Sequence, residues 1–194
     1  MMKGQCSMLM LVVIAACAGP EREVPATPSQ GAQQPATPRA DGGAVSTAGW
    51  TVTPAGIGTL RTEMTLAEAG QQLGRELTLP AGAEQCGYVR PVAGLDSVAF
   101  MVIEGRIARF DITGRRVATA EGARVGDSEA RIDSLYAGRV EVQPHKYTDG
   151  RYLVVRPMEG AHNAHRLIFE TDGQRVTKYR AGRLPEVGWV EGCS

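Results

Sequence analysis

The chain has 194 residues, with 21 basic and 21 acidic side chains balancing to a formal net charge of +0, and is 43% hydrophobic and 22% charged. That length holds one domain or two small ones. The charge balance gives no electrostatic footprint for nucleic acid, and the composition argues against a wholly disordered chain. Lys3 is the one cation ahead of an uncharged apolar run over residues 7–16 (SMLMLVVIAA). A run of that length has the form of a secretory signal core and is too short to cross a bilayer as a helix. It closes on Ile14-Ala15-Ala16-Cys17.

That ending resembles the lipobox of bacterial lipoproteins. The resemblance implies that residues 1–16 leave as a signal peptide, Cys6 among them, and that Cys17 is acylated, as by palmitate, and becomes the first residue of the mature chain. Each buried acyl methylene contributes roughly 0.8 kcal/mol, so several chains give stable attachment. Ala18 and Gly19 stand where an Asp would imply retention at the inner membrane. The resemblance therefore implies an exported protein anchored to a bacterial membrane, the outer one, facing the periplasm.

Residues 17–48 read as the lipidated Cys and a tether. Of the 31 residues from 18 to 48, 24 are Ala, Gly, Pro, Ser, Thr or Gln, and Val24 and Val45 are the only branched aliphatics. Such a stretch buries too little apolar surface to offset the entropy of ordering it, so disorder is expected.

The remainder predicts an α+β fold made of two tandem helix-plus-antiparallel-sheet units, residues 49–117 and 118–194. Thr65-Leu66-Ala67-Glu68 is a capping box, followed by Leu66, Ala69 and Leu73 on one helical face and Gly74 as the stop. Asp127 is the matching cap for a second helix carrying Ile132, Leu135 and Tyr136, with Gly138 ending it. Tyr88-Val89-Arg90-Pro91 is echoed by Val154-Val155-Arg156-Pro157. Residues 98–103 and 106–112 around Glu104-Gly105 read as a hairpin, and so do 166–171 and 174–180 around Asp172-Gly173. A third hairpin turns at Asp149-Gly150, between 140–147 and 151–156. The spacing of these echoes grows from 62 residues at the caps to 68 at the turn glycines.

With the lipobox, this arrangement resembles two families. One is the tandem-repeat β-lactamase-inhibitor proteins, and the other is the small outer-membrane-assembly lipoproteins typified by BamE. Helices in these families open on Gly followed by a short polar residue. Gly126-Asp127 has that form and Glu63-Met64-Thr65 does not.

Once Cys6 is removed and Cys17 acylated, Cys86 and Cys193 are the remaining thiols, and two thiols in an oxidising compartment are expected to pair. The three His are expected to be solvated loop side chains. His162 and His165 fall before a strand and His145 beside Pro144, without the companions that zinc requires. No nucleophile elbow, phosphate loop or dinucleotide fingerprint occurs. Neither a catalytic residue, a metal, a cofactor nor a small-molecule substrate is therefore expected. Arg115-Arg116 and the later Lys146, Arg151, Arg156, Arg166, Arg175, Lys178, Arg180 and Arg183 make the second sheet basic in places, which reads first as a solvated face, then as a patch for an acidic partner or for anionic lipid headgroups. Trp189 and Tyr179 read as exposed anchors or as packing around Cys193.

The function expected is a non-catalytic, lipid-anchored envelope protein with a binding or scaffolding role toward a protein partner. The alternative, implied by the first family, is an inhibitor of an exported hydrolase. The loops carrying Asp149, Arg151, His162 and His165 are the expected partner-binding residues.

Overall fold

The computed structural model describes residues 50–90, 95–158 and 164–193. The signal segment, Cys17, the tether and His162 lie outside the described residues. The fold belongs to the unit formed by residues 42–194.

The fold is mostly β, with two short helices. Four short strands, β1 (Thr51–Thr53), β2 (Gly56–Ile57), β3 (Leu60–Arg61) and β7 (Ala118–Thr119), make a small mixed sheet in the order β3-β2-β1-β7. A seven-stranded antiparallel sheet is built from β4 (Cys86–Val89), β5 (Val98–Ile103), β6 (Arg106–Ile112), β8 (Val140–Pro144), β9 (Arg151–Val155), β10 (His165–Thr171) and β11 (Val176–Arg183). Its order is β4-β5-β6-β11-β10-β9-β8, so strands from both halves of the chain share one sheet and meet at β6–β11. Helix α1 (Leu66–Leu73) follows β3, and α2 (Glu129–Leu135) follows β7.

Alternation along the strands sends one set of side chains inward. Phe100, Phe110, Leu153, Leu167, Phe169 and Tyr179 meet Ala69 and Leu73 of α1, Ile132 and Tyr136 beside α2, and Val52, Ile57 and Leu60 of the small sheet in one core. Tyr179 is therefore a core residue, 1% exposed, with its hydroxyl donating to the Val117 carbonyl at 3.2 Å. It is neither a surface anchor nor packing for Cys193. Burial pushes its phenol well up, as it does that of Tyr136.

The capping box forms as the sequence predicts. Thr65 Oγ1 accepts from the Glu68 amide at 3.2 Å, and Glu68 accepts from the Thr65 amide at 2.8 Å. Gly74 ends the helix at φ 63. The second cap lies one residue later than predicted, at Ser128, whose Oγ accepts from the Arg131 amide at 3.2 Å. Asp127 instead accepts from the Arg124 amide and from Arg131 Nε, because its own backbone is engaged with Val176. Tyr136 caps the C-terminal end of α2, and Gly138 lies in the turn beyond.

The two hairpins β5–β6 and β10–β11 carry the same irregularity. Pairing steps from Met101↔Arg109 to Val102↔Ile107, leaving Ala108 as the extra residue of a bulge. In the second hairpin it steps from Glu170↔Lys178 to Thr171↔Val176, leaving Thr177. Every one of these positions has its counterpart 69 residues on. The helix openings match as well. Glu63 N–H donates to the Ile107 carbonyl and Gly126 N–H to that of Val176, while Arg106 and Arg175 donate side-chain bonds to the Glu63 and Gly126 carbonyls. Glu63 has φ 71 and Gly126 φ 93. Glu63 thus adopts the left-handed conformation that a glycine would take without strain.

The register also corrects one sequence echo. Val89 pairs with Phe100, and Leu153 pairs with Phe169. The residue equivalent to Val89 is therefore Leu153 rather than Val155.

Candidate functional site on the outer face of the sheet

The outer face of the large sheet is built from the other side-chain set. Strands β5 and β6 are buried on both faces, with Ala99 and Met101 covered on this side. The cover is the C-terminal segment, residues 184–193, which contains a short 3-10 turn at Glu186–Gly188. Val187 is fully buried with Tyr152 and Ile168 in a second, smaller cluster. The far end of the segment is bonded to the sheet edge by the Cys86–Cys193 disulfide, with Cα atoms 5.4 Å apart and 107 residues between them in sequence.

Two buried arginines hold the middle. Arg109, 3% exposed, donates from Nη1 to the carbonyls of Glu186 (3.0 Å) and Trp189 (2.7 Å). Its Nη2 donates to the Tyr88 hydroxyl at 2.7 Å and its Nε to Asp111 at 3.0 Å. Arg180, 4% exposed, donates from Nε to the Val187 carbonyl at 2.6 Å and from Nη1 to Glu170. A buried guanidinium persists only when its donors are satisfied, and here backbone carbonyls and a carboxylate do so. Arg180 therefore does not belong to a solvated face.

Glu170 is the acceptor at the centre. Besides Arg180 it takes Lys178 at 3.1 Å and His145 at 3.3 Å. Burial pushes its carboxyl up, but Arg180 and Lys178 outweigh this and hold it below the ordinary carboxylate range. His145 lies just past β8, stacked on Tyr152 with ring centroids 4.5 Å apart. The Tyr147 amide donates to its Nδ1 at 3.1 Å, which makes Nδ1 the acceptor and puts the proton on Nε2, facing Glu170. Its side chain is 12% exposed, so it is not a solvated loop histidine. The same loop reaches the cover, since Lys146 (2.6 Å) and Tyr147 both donate to Glu191.

The cover divides the face into two open clefts. One, of about 340 Å³, mixes charged groups (Arg90, Asp96, Asp111, Lys178 and Glu191) with apolar lining from Val98, Ala99 and Val190. The other, of about 220 Å³, is mainly apolar, with Tyr152, Val154 and Ile168 as its floor and Leu184 and Val190 beside them. Trp189 and Leu184 on the cover are 40% and 41% exposed.

The residues expected to bind a partner are not brought together. Asp149 is exposed in the β8–β9 loop. Arg151 is engaged with Glu129, and its amide donates to Thr171 Oγ1 at 3.1 Å. His165 is at the opposite end of β10, where its Nε2 meets Thr62 Oγ1 at 2.9 Å. Six residues of strand separate the two ends, about 20 Å. The expected Cys86–Cys193 bond is present, whereas the cluster around Arg109, Arg180, Glu170 and His145 was missed. For Arg109 and Arg180 the sequence signal was charge at strand positions flanked on both sides by core residues, Ala108 and Phe110 and Tyr179 and Ala181, whereas His145 and Glu170 carried no such signal.

The chain matches no protein-family model and no curated protein. Its backbone is similar to the crystal structure of the uncharacterized protein yfeY from Escherichia coli, with 15% sequence identity, coverage of 69% of this chain and 99% of that one, and a TM-score of 0.46.

Proposed function

We propose that this is a non-catalytic, lipid-anchored envelope protein that binds a protein partner on the outer face of its large sheet, and that its sheet domain consists of two tandem copies of one helix-plus-antiparallel-sheet unit. The observation carrying the binding role is that His145 and Glu170, the central outer-face groups suited to acid–base work, are held by each other and by their neighbours. Both ring nitrogens of His145 are engaged, Glu170 accepts from three cations or donors, and Arg109 and Arg180 grip backbone carbonyls. General acid–base catalysis needs a group free to exchange its proton with substrate. What this face offers instead is two open clefts beside the exposed Leu184 and Trp189.

Three further observations support the rest. The constant interval of 69, with a bulge at the same place in each hairpin, supports the tandem reading. The disulfide is consistent with an oxidising compartment. The apolar run ending in Cys17 supports the lipid anchor.

A photo-crosslinker placed at Trp189 in membrane-anchored protein is expected to capture a discrete envelope protein, while the same probe at exposed Gln72 does not. Equal capture at both sites, or none at native expression, overturns the binding role. Palmitate labelling lost in Cys17→Ser, with a mature N-terminus at Cys17, is the expected outcome for the anchor.

A further inference from the structure

The C-terminal cover is bound to the sheet in the way a foreign peptide would be. Its contacts run mainly through main-chain carbonyls of Glu186, Val187 and Trp189, which any sequence supplies, and through Val187 with the less buried Val190 on Tyr152 and Ile168, while the Glu186 carboxylate pairs with Arg183 at the hinge end at 2.8 Å. The receptor side is preformed by the sheet. Arg109 is positioned by Asp111 and Tyr88, and Arg180 by Glu170, all of them sheet residues. The attachment at the far end is covalent but reversible, through Cys86 and Cys193, both only partly buried.

We propose that residues 184–193 are a releasable cover over a peptide-binding surface, that reduction of Cys86–Cys193 opens it, and that the uncovered face takes an extended polypeptide bearing an apolar residue in the Val187 position. The reductant is a dithiol. One of its thiolates attacks a sulfur of the pair, the Cys86–Cys193 bond breaks, and a mixed disulfide forms. The second thiol of the reductant resolves that intermediate, leaving two cysteine thiols on the protein and a disulfide on the reductant. Without the bond, the cover is held at that end by the Glu191 contacts with Lys146 and Tyr147, which are exposed and weak. The carbonyl bonds to Arg109 and Arg180 are then open to competition from a second peptide supplied in excess over the effective concentration of the cover, which stays joined to β11.

This deepens the binding role proposed above and rests on it for the choice of surface, but its test requires no envelope partner. The probe is a fluorescein-labelled synthetic peptide with the sequence of residues 184–192. It is added to the full chain in oxidised form, after dithiothreitol treatment, and as the Cys86→Ser/Cys193→Ser variant, with hydrogen exchange at Gly188 and Trp189 followed in parallel. These two amides are bonded within the cover, to Pro185 and Glu186. Release raises their exchange by at least about tenfold while core amides of β5 and β10 stay protected. Peptide anisotropy rises for the reduced chain and the serine variant alone, and Arg109→Gln in the serine variant abolishes it. Unchanged exchange on reduction overturns the proposal, as does release without peptide binding. Loss of protection throughout the sheet also overturns it, because the bond then holds the fold and not the cover. A failed crosslinking search leaves these outcomes readable, and a cover that stays shut leaves the partner-binding role standing.

Discussion

Asp111 and Arg180 face each other across β6–β11 and stand 69 positions apart, the interval that relates the two hairpins. Exchanging positions by that interval maps the Asp111–Arg180 pair onto itself and carries Ile112↔Tyr179 into Phe110↔Ala181, which is also paired. The pair therefore sits on a local two-fold axis at the middle of the sheet. The two sides of the axis differ above the sheet, because Glu170 supplies a carboxylate to Arg180 where its counterpart 69 positions earlier, Met101, supplies none. A charge exchange, Asp111→Arg with Arg180→Asp, is accordingly expected not to restore stability. It strands Glu170 and the Val187 carbonyl and costs more than about 3 kcal/mol in urea unfolding.

Removing Arg180 alone tests the same cluster. Arg180→Ala leaves Glu170 without its closest partner inside the protein, and a loss of about 3–5 kcal/mol is expected. Arg180→Met with Glu170→Met recovers the part due to the unpaired carboxylate but not the part due to the Val187 carbonyl and His145 Nε2, which lose their partners. Equilibrium unfolding of both variants and of the parent measures this.

Glu170 also sets an acid limb. Burial raises its carboxyl and Arg180 and Lys178 lower it, with a net fall from the ordinary 4.5. A group held lower in the folded state contributes stability that is fully present above its unfolded value and is lost as pH falls through its folded value. Stability of the parent is expected to decline below about pH 4.5. Glu170→Gln is less stable at neutral pH and declines more gently over that range, as unfolding measured from pH 7 downward will show.

Gly150 has no room for a side chain. A Cβ there would lie 1.9 Å from the Thr171 carbonyl oxygen, a backbone atom that cannot swing away. Gly150→Ala is expected to cost about 1–3 kcal/mol by overpacking and to loosen the His145–Tyr147 loop from the cover. Faster exchange at the Tyr147 amide, which donates to His145, reports that loosening.

The caps give a comparison between the two halves. Thr65→Ala and Ser128→Ala are each expected to cost about 1 kcal/mol. The first costs more, because Thr65 also anchors the reciprocal Glu68 bond and Ser128 has no such partner. Thermal unfolding of the two variants ranks them.

Local rules were enough wherever the forces are local. The capping box at Thr65, the β5–β6 hairpin bounds and Gly74 as a helix stop follow from hydrogen bonds and φ preferences within a few residues. The second cap slipped by one residue because Asp127 and Ser128 both suit the position, and the bridge from the Asp127 carbonyl to Val176, a contact distant in sequence, decided between them. Glu63 opens the first helix with a positive φ that its side chain disfavours, because its amide donates to the Ile107 carbonyl and its carbonyl accepts from the Arg106 side chain.

The sequence alone determined the two helices to within a residue at their caps and the hairpins around Gly105, Gly150 and Gly173, since these rest on periodicity and turn chemistry, and it led to the pairing of Cys86 with Cys193 once the other two cysteines were assigned to the lipobox segment. Only the tertiary structure decided that the halves merge into one sheet at Asp111–Arg180, that residues 184–193 cross its outer face, and that Arg109, Arg180, Glu170 and His145 are interior groups. A charged residue in a strand is written identically whether water or a buried carbonyl satisfies it. Which of the two does so depends on the path of a chain segment that no local pattern constrains.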